Sequence, residues 1–315
     1  MPVDDSEPAC ASPPMPRVAP TISIIGAGRL GTAFALAFSR RGYVVQALVC
    51  RTTQSARRAA KLAGVASHTL ALQELSLLPR SDILLLTTPD DQLSNVAKLL
   101  AAGISRDRRQ RIALHSSGAL PSDILGDLSS VGFSIGSMHP LVSVSDPESG
   151  ARRLEGAYFG IEGQLAATRV ARRLISAIGA KSFPIEASNK ALYHAAAVMS
   201  SGNVVALADI AIEMLVRCGL TQSYARTVLI PLLQSTIENL SSRDTGKALT
   251  GPFARSDVAT VRRHVPAIAT SGVADALNAY VLLGRHALRI MERDGLSPKS
   301  NNELKNILDE FESGK

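Results

Sequence analysis

The sequence is poor in aromatic and cysteine side chains. None of its 315 residues is Trp, and Phe, Tyr and Trp together make up 4%. The three cysteines, Cys10, Cys50 and Cys218, are odd in number, far apart and without metal-ligand spacing. This pattern predicts no metal site and is typical of a protein in a reducing cytoplasm.

Long apolar runs are also missing from the sequence. A membrane span needs roughly 18 apolar residues, and Arg, Asp, Glu or Gly interrupts each long Ala/Leu stretch. We therefore expect no membrane segment. Residues 1–20 are rich in Pro and Ser, without a basic start or an apolar centre, so they predict a disordered tail and no signal peptide.

The formal net charge of +7 raises the question of a nucleic-acid partner. The basic residues are scattered, and their densest cluster, RDRRQR at Arg106–Arg111, contains no interleaved aromatic residue. Such a cluster before an apolar strand is more typical of a solvated loop than of a nucleic-acid surface. We expect no nucleic-acid partner.

The organisation of the sequence changes once along the chain. From Thr21 to about Pro184, short apolar runs alternate with amphipathic stretches, which is typical of a mainly parallel sheet covered by helices. The predicted strands lie in TISIIG, YVVQALVC, DILLLTT, RIALHS, FSIGSMH, AYFGIEG and AKSFPI. From Ala187 onward, long segments such as NKALYHAAAVMSSGNVVALADIAIEMLVRCG predict only helices. We therefore expect an α/β domain at residues 21–186 and an all-α domain at residues 187–315.

A glycine-rich motif follows the first predicted strand and opens the first helix. It consists of Gly26, Ala27, Gly28, Arg29, Leu30 and Gly31, with the spacing G-x-G-x-x-G. In this strand–turn–helix context the glycines allow a tight turn, the approach of a pyrophosphate and close helix packing. The motif predicts a Rossmann-type dinucleotide site, and the alternative is a glycine-rich turn that binds nothing.

The end of the second predicted strand distinguishes between two cofactors. NAD sites carry Asp or Glu about 20 residues beyond the glycines, where it binds the ribose 2′-hydroxyl. Here Arg51 holds that place, and hydroxyl and guanidinium groups follow at Thr52, Thr53, Ser55, Arg57 and Arg58. A guanidinium binds a 2′-phosphate that a carboxylate would repel. We predict NADP(H), unless Arg51 is merely a solvent-facing residue.

Three later strand ends carry polar side chains, and ligands of open parallel sheets bind beyond such ends. We predict cofactor contacts for Thr88, Pro89, Asp90 and His115, substrate contacts for Ser116 and Ser117, and a catalytic role for His139. Taken singly, a strand-end Ser or Thr is most often a helix cap, and a lone His is most often a surface or core residue.

Several motifs together resemble a known family. They are IIGAGRLG, LTTPDDQL, LHSSGAL, SMHPL, YHAAAVMSSGNVVALADIA, PLLQSTIENL and ALTGPFARSDVATVRRHV. Their combination is similar to bacterial Rossmann-like, NADP-dependent oxidoreductases with a C-terminal helical domain of unknown function. That family resembles pyrroline-5-carboxylate reductase, prephenate dehydrogenase, ketopantoate reductase and the β-hydroxyacid dehydrogenases. The resemblance implies a homodimer through the helical domain.

The resemblance also implies roles for individual residues. His139 before Pro140 matches the His-Pro of prephenate dehydrogenases, where the His meets the reacting hydroxyl. Lys190 matches the Lys of the Lys-x-x-x-Asn motif of β-hydroxyacid dehydrogenases, but His194 replaces the Asn, so Lys190 and His194 are both candidate proton donors. On one continuous helix these two side chains would share a face with Ser201.

Two further residues are expected to bind substrate. Asn203 follows on the same predicted helix, nearly opposite His194 unless Gly202 bends the helix. In ALTGPFARSDVATVRRHV, we expect a helix that carries Arg255, which would bind a substrate carboxylate, while Asp257 caps that helix or orients Arg255. The alternative is that RSDVATVRRHV forms a dimer contact. The family pattern has Gly at the position of Ser256, and this departure is expected to perturb the turn.

These expectations combine into one leading hypothesis and one alternative. The leading hypothesis is hydride transfer between NADP(H) and a small carbonyl or imine, with a 2-oxo acid of ketopantoate type as the first substrate candidate and a cyclic imine as the second. The alternative is an NADP-binding regulator or scaffold dimer without catalysis.

Overall fold

The structure is a computed structural model that describes residues 20–104, 111–295 and 301–310. The chain divides into two compact units, Met1–Val198 and Met199–Lys315. Residues 1–19 of the predicted tail, with Cys10, and residues 106–110 of the basic cluster lie outside the described residues. The units divide twelve residues beyond the predicted domain boundary at 186, so the residues from Ala187 to Val198 group with the sheet.

Among the described residues, the first unit contains one eight-stranded sheet with the order β3-β2-β1-β4-β5-β6-β7-β8. Only β6 and β7 pair antiparallel, and the other neighbours in the described sheet are parallel. The strands are β1 Thr21–Ile25, β2 Val44–Cys50, β3 His68–Ala71, β4 Ile83–Leu86, β5 Arg111–His115, β6 Phe133–Pro140, β7 Tyr158–Gly163 and β8 Lys181–Pro184. The first six strands have the Rossmann order, which confirms the predicted α/β fold class.

Helices cover both faces of this sheet because its inner strands are apolar on both sides. Ile22 and Ile24 pack with Phe34 in one buried cluster, whereas Ile25 packs with Leu93 in another. The helices of the unit are α1 Arg29–Ser39, α2 Thr53–Ala63, α3 Asp90–Gly103, α4 Gly126–Ser130, α5 Pro147–Leu154, α6 Leu165–Ala177 and α7 Lys190–Met199.

Strand β3 was not predicted from the sequence. Its four residues, HTLA, lie at the edge of the sheet and are exposed or half-buried. A short edge strand of this kind has neither a continuous apolar run nor a clear alternation, and those are the two patterns by which strands are recognised.

In its described residues the second unit is helical, as predicted. Its helices are α8 Gly202–Arg217, α9 Gln222–Ser242, α10 Thr245–Ala248, α11 Val258–Ala269, α12 Ala276–Arg293 and α13 Asn301–Glu310. Val261 and Val265 pack with Leu288 and Leu304 in the larger apolar core of this unit. The described elements of this unit are thus those of the all-α class that was predicted for residues 187–315.

The segment from Asn189 to Gly219 does not form one continuous helix, so the predicted alignment of Ser201 with His194 is wrong. Helix α7 ends at Met199, Ser201 adopts a non-helical φ of −130° and ψ of −80°, and α8 begins at Gly202. Ser201 therefore does not lie on the same helix as Lys190 and His194. Serine side chains compete for backbone hydrogen bonds and glycine loses backbone entropy, so the SSG sequence weakens the helix at this point.

One apolar segment corrects the expectation that no run could span a membrane. Ala187–Arg217 has the length and the mean hydropathy, 1.6, that such a span requires. Length and composition are weak evidence by themselves, because core helices of soluble proteins meet the same criteria. The break at Ser201 also divides the segment into two helices.

The turn before α11 differs from the expected helix. Arg255 lies in this turn, outside the helix, and Asp257 is the N-cap, whose carboxylate accepts hydrogen bonds from the backbone N–H of Thr260 at 3.0 Å and its hydroxyl at 2.7 Å. Ser256 has a φ of +52°, a left-handed conformation that glycine adopts more easily. The departure from Gly at this position thus places a non-glycine residue in strained backbone.

Gly31 is packed too closely to carry a side chain. A Cβ on Gly31 would lie 2.5 Å from Thr87 Oγ1 and 2.6 Å from the Gly26 carbonyl oxygen. Gly31→Ala should therefore lower the free energy of unfolding of the first unit by about 1–3 kcal/mol, measured by urea denaturation. Gly28→Ala is the control, because a Cβ there has no neighbour nearer than 3.9 Å. Equal losses in the two variants would contradict this packing argument.

Candidate functional site

The glycine-rich loop is held between β1, β2 and β4. The backbone N–H groups of Gly26 and Ala27 both donate to the carbonyl oxygen of Val49 at 2.9 Å. Gly26 has a φ of +98°, and a Cβ there would lie 2.6 Å from the backbone nitrogen of Thr88. Only glycine fits this position, so the motif has a packing role beside any role in binding.

The residues of this loop fit a dinucleotide. Gly28 precedes α1, and a Cβ there would have no neighbour nearer than 3.9 Å, so a ligand can approach the backbone. The first turn of α1, which includes Arg29 and Leu30, contains no acidic residue, and no side chain caps its N-terminus. Free N–H groups at such an end bind anions. Thr88 adds a buried hydroxyl without a hydrogen-bond partner among the described residues.

The end of β2 presents the predicted cationic group. Arg51 is exposed, and the following Thr52 caps α2 by accepting from the backbone N–H of Ser55 at 3.2 Å. Thr53 differs from the expectation, because its hydroxyl donates to Glu74 Oε2 at 3.1 Å. The carboxylate of Glu74, which is distant in sequence, therefore lies near the end of β2. It accepts the hydrogen bond that the Thr53 hydroxyl was expected to donate to the phosphate.

A cavity of about 330 Å³ lies at the carboxyl ends of β4, β5 and β6. It brings together side chains that were predicted separately for the cofactor, the substrate and catalysis. The lining residues are Leu30, Asp90, Ser116, Ser117, Gly118, His139, Pro140, Val142, Val144 and His194. Pro89 precedes α3 as its N-cap residue, directly before Asp90. The polar side chains at these strand ends thus meet at one cavity.

Two histidines face each other in this cavity. The imidazole rings of His139 and His194 are 5.5 Å apart, edge to face, with an interplanar angle of 82°. Burial, together with the neighbouring His194 and Lys190, lowers the pKa of His139 to about 4. His139 is therefore neutral at neutral pH and acts there as a hydrogen-bonding group.

Gly118 makes the close approach of these rings possible. A Cβ on Gly118 would lie 2.5 Å from His194 Cδ2 and 2.9 Å from His139 Nε2. No larger residue fits without moving an imidazole. Sequence reasoning did not single out Gly118, and only its position after two strand-end serines could have indicated it.

Lys190 lies behind the cavity wall and is 2% exposed. Its ammonium donates to the Ser117 carbonyl oxygen at 3.1 Å and to Ser137 Oγ at 2.8 Å. Burial lowers the pKa of Lys190, while the carboxylates of Glu162 and Asp90 raise it. Lys190 does not line the cavity, so its geometry favours a role in holding the site over direct proton transfer.

His115 is completely buried at the end of β5. Its Nδ1 accepts from the backbone N–H of Ser117 at 3.1 Å, and burial, with Lys190 nearby, lowers its pKa to about 3. The Ser117 hydroxyl donates to Asp90 Oδ2 at 2.8 Å. His115 and Ser117 thus shape the turn. Ser116 and Ser117 both line the cavity, and the hydroxyl of Ser116 makes no hydrogen bond within the described residues.

Two predicted substrate ligands lie in the second unit. Asn203 is exposed near the start of α8, and Arg255 is exposed in the turn before α11. Their participation in substrate binding stays a prediction.

Sequence reasoning missed three side chains that support the site. Tyr193 contacts His139, and Ser137 and Glu162 form a chain behind Lys190, with Ser137 Oγ 3.3 Å from Glu162 Oε2. Tyr193 lies inside the motif KALYH, so its neighbour His194 was the available signal. Glu162 lies on β7, and only the antiparallel pairing of β7 with β6 brings it to this place.

Two family models match the chain. Residues 8–140 match a Rossmann-like domain, and residues 157–287 match a domain of unknown function, DUF2520. A curated relative, glycerol-3-phosphate dehydrogenase [NAD(P)+] from Bradyrhizobium diazoefficiens, is 36% identical over 94 residues. That alignment covers 27% of this chain and 28% of the relative.

Solved structures resemble nearly the whole chain in fold. Protein TM1727 from Thermotoga maritima is 22% identical with a TM-score of 0.67, covering 87% of this chain and 99% of that one. Pyrroline carboxylate reductase from Plasmodium falciparum, solved with NADP bound, is 11% identical with a TM-score of 0.54, covering 91% and 98%.

These matches confirm the resemblance expected from the motifs, both for the sheet domain and for the helical region that follows it. The chain is thus similar to a Rossmann-like domain over residues 8–140 and to the domain DUF2520 over residues 157–287.

Proposed function

We propose that the protein is an NADP(H)-dependent oxidoreductase that acts on a small carbonyl or imine substrate bearing a carboxylate. A 2-oxo acid of ketopantoate type is the first substrate candidate. The observation that carries the proposal is the convergence of His139, His194, Ser116 and Asp90 on one cavity at the ligand-binding edge of a Rossmann-like sheet. The solved relative with NADP bound supports the choice of cofactor class.

The glycine-rich loop, Thr88 and Arg51 are the proposed cofactor ligands. When bound, NADP(H) supplies or accepts a hydride. Gly28 lets the pyrophosphate approach the N-terminus of α1, and Arg51 binds the 2′-phosphate. Leu30, which belongs to the glycine-rich motif and to the first turn of α1, also lines the cavity, so cofactor and substrate would be neighbours.

The cavity side chains would orient the substrate and handle its proton. His139 and His194 both line the cavity, so both can hydrogen-bond the reacting oxygen or nitrogen, and one of the pair would deliver the proton. Ser116 offers a further hydroxyl. Lys190 would keep the turn after β5 in place through its bonds to Ser117 and Ser137.

The helical unit is the proposed dimer interface. It exposes large apolar side chains on α8, α9 and α12, among them Val205 at 70%, Leu232 at 62% and Leu282 at 64%. Apolar surface of this extent marks interaction sites. A second copy presents the same apolar helices, so a two-fold contact buries both sets.

Free thiols at Cys50 and Cys218 accord with the predicted cytoplasmic location.

The direct test of the proposed activity is NADPH consumption, followed by absorbance, with a panel of 2-oxo acids and cyclic imines. Turnover of any member supports the oxidoreductase. Tight NADPH binding without turnover across the panel would instead support the alternative, a regulator or scaffold dimer.

Charge reversal at Arg51 tests the cofactor phosphate. Arg51→Glu should raise the Kd of NADPH by about 10–100-fold, since it replaces an ion pair with repulsion, and should change the Kd of NADH little. Calorimetric titration measures both constants. Arg172→Glu, the same charge change on α6, is the control and should leave both unchanged. Equal weakening of NADPH and NADH by Arg51→Glu would remove the phosphate argument.

Substitution of His139 tests the catalytic proposal. His139→Ala should lower kcat by about 10²–10⁴-fold without weakening NADPH binding, because it removes a hydrogen-bonding group at the reacting atom. Steady-state kinetics and calorimetry separate the two effects. His68→Ala, at the exposed edge of the sheet, should have wild-type kcat. A fully active His139 variant would show that the reaction does not use this residue.

The dimer proposal predicts that a charge on the exposed apolar helices produces monomers. Val205→Asp combined with Leu232→Asp should halve the mass in light scattering coupled to size exclusion, because a buried unpaired carboxylate opposes association. Leu165→Asp is the matched control, since Leu165 is 61% exposed on α6 of the first unit. A wild-type monomer, or a dimer that survives both changes, would refute this interface.

A further inference from the structure

Tyr193 makes a close contact with His139 that the proposed function does not use. Its hydroxyl oxygen lies 2.8 Å from His139 Nδ1 and 3.3 Å from the His139 backbone carbonyl oxygen. The two rings are perpendicular, with centroids 5.5 Å apart. Tyr193 belongs to α7 and His139 to the end of β6, so the contact joins two elements of the first unit.

The opposite edge of the His139 ring is turned toward Gly118. A Cβ on Gly118 would lie 2.9 Å from His139 Nε2, and both residues line the cavity. Nε2 makes no hydrogen bond within the part of the chain that the structure describes. The two ring nitrogens therefore have different surroundings, one bonded to Tyr193 and one directed at the ligand space.

The protons of Tyr193 and His139 distinguish two tautomers of the imidazole. Tyr193 has one hydroxyl proton, which serves either Nδ1 or the backbone carbonyl, and the shorter distance is to Nδ1. Burial raises the pKa of Tyr193 to about 12, so the phenol keeps its proton. Burial lowers the pKa of His139 to about 4, so the imidazole has a single proton at neutral pH. If Nδ1 accepts from Tyr193, that proton is on Nε2.

We propose that Tyr193 is a positioning residue that fixes His139 as the Nε2–H tautomer, so that His139 presents a neutral hydrogen-bond donor to the cavity. Tyr193 acts only through His139 and does not line the cavity. The opposite assignment, in which Tyr193 donates to the backbone carbonyl and accepts from Nδ1–H, would leave Nε2 as a lone-pair acceptor.

This tautomer restricts the substrate class, an inference that rests on the proposed function. A neutral Nε2–H donor matches a carbonyl oxygen or the lone pair of an unprotonated imine. A protonated iminium nitrogen offers no acceptor to such a donor. His139 would polarise the acceptor without giving up its proton, and His194 would remain as the neighbouring group for proton delivery.

The tautomer can be observed directly by NMR of protein labelled with ¹⁵N in its histidines. At neutral pH the wild-type His139 should show a protonated Nε2 and an unprotonated Nδ1, with its signals assigned by their loss in His139→Gln. Tyr193→Phe removes the donor to Nδ1, so both tautomers should become populated and the two nitrogen shifts should move toward each other. A wild-type His139 protonated at Nδ1, or a Tyr193→Phe spectrum identical to wild type, would overturn the proposal.

The chain contains a matched control for this experiment. Tyr280 and His264, in the second unit, form the same type of contact, with the hydroxyl 2.9 Å from Nδ1. Tyr280→Phe should shift the His264 signals only, and Tyr193→Phe the His139 signals only. If Tyr193→Phe does not fold, the ring nitrogen that is protonated in wild-type His139 still supports or overturns the proposal. The NMR measurement needs no substrate. A His139 that is not protonated at Nε2 is therefore distinguishable from a protein that does not turn over NADPH.

Discussion

The buried ammonium of Lys190 is the interaction on which the arrangement of the cavity depends. It joins α7 to the ends of β5 and β6 through the Ser117 carbonyl and the Ser137 hydroxyl. A buried charge is costly unless it is hydrogen-bonded and compensated. The carboxylates of Glu162 and Asp90 oppose the loss of its charge. The position of α7 is therefore set by a charged contact that tolerates little displacement.

The histidine pair follows from that position of α7. Tyr193 and His194 come three and four residues after Lys190, so on the helix they lie on the same side as the ammonium. With α7 held by Lys190, both rings reach His139, and Gly118 leaves the space in which they pack. A change at Lys190 would therefore alter the site through geometry as well as through charge.

The sequence predicted the position of the site better than the direction of its side chains. Carboxyl ends of parallel strands meet at one edge, so His115, Ser116 and His139 were expected together. Successive residues of a strand point to opposite faces, however, and this places His115 inside the fold and Ser116 at the cavity. Tyr193 could not be predicted, since its contact requires the tertiary placement of α7 against β6.

The charges around the cavity limit what its lining can bind. His139 and His115 have pKa values of about 4 and about 3, so both are neutral at neutral pH. Among the lining residues, Asp90 is a carboxylate and none is Lys or Arg, because Lys190 lies behind the wall. A substrate carboxylate would be repelled by Asp90 and would find no permanent cation in this lining. A 2-oxo acid therefore needs a cation from outside the lining, which is the role predicted for Arg255, whereas a carbonyl substrate without a carboxylate would not need one.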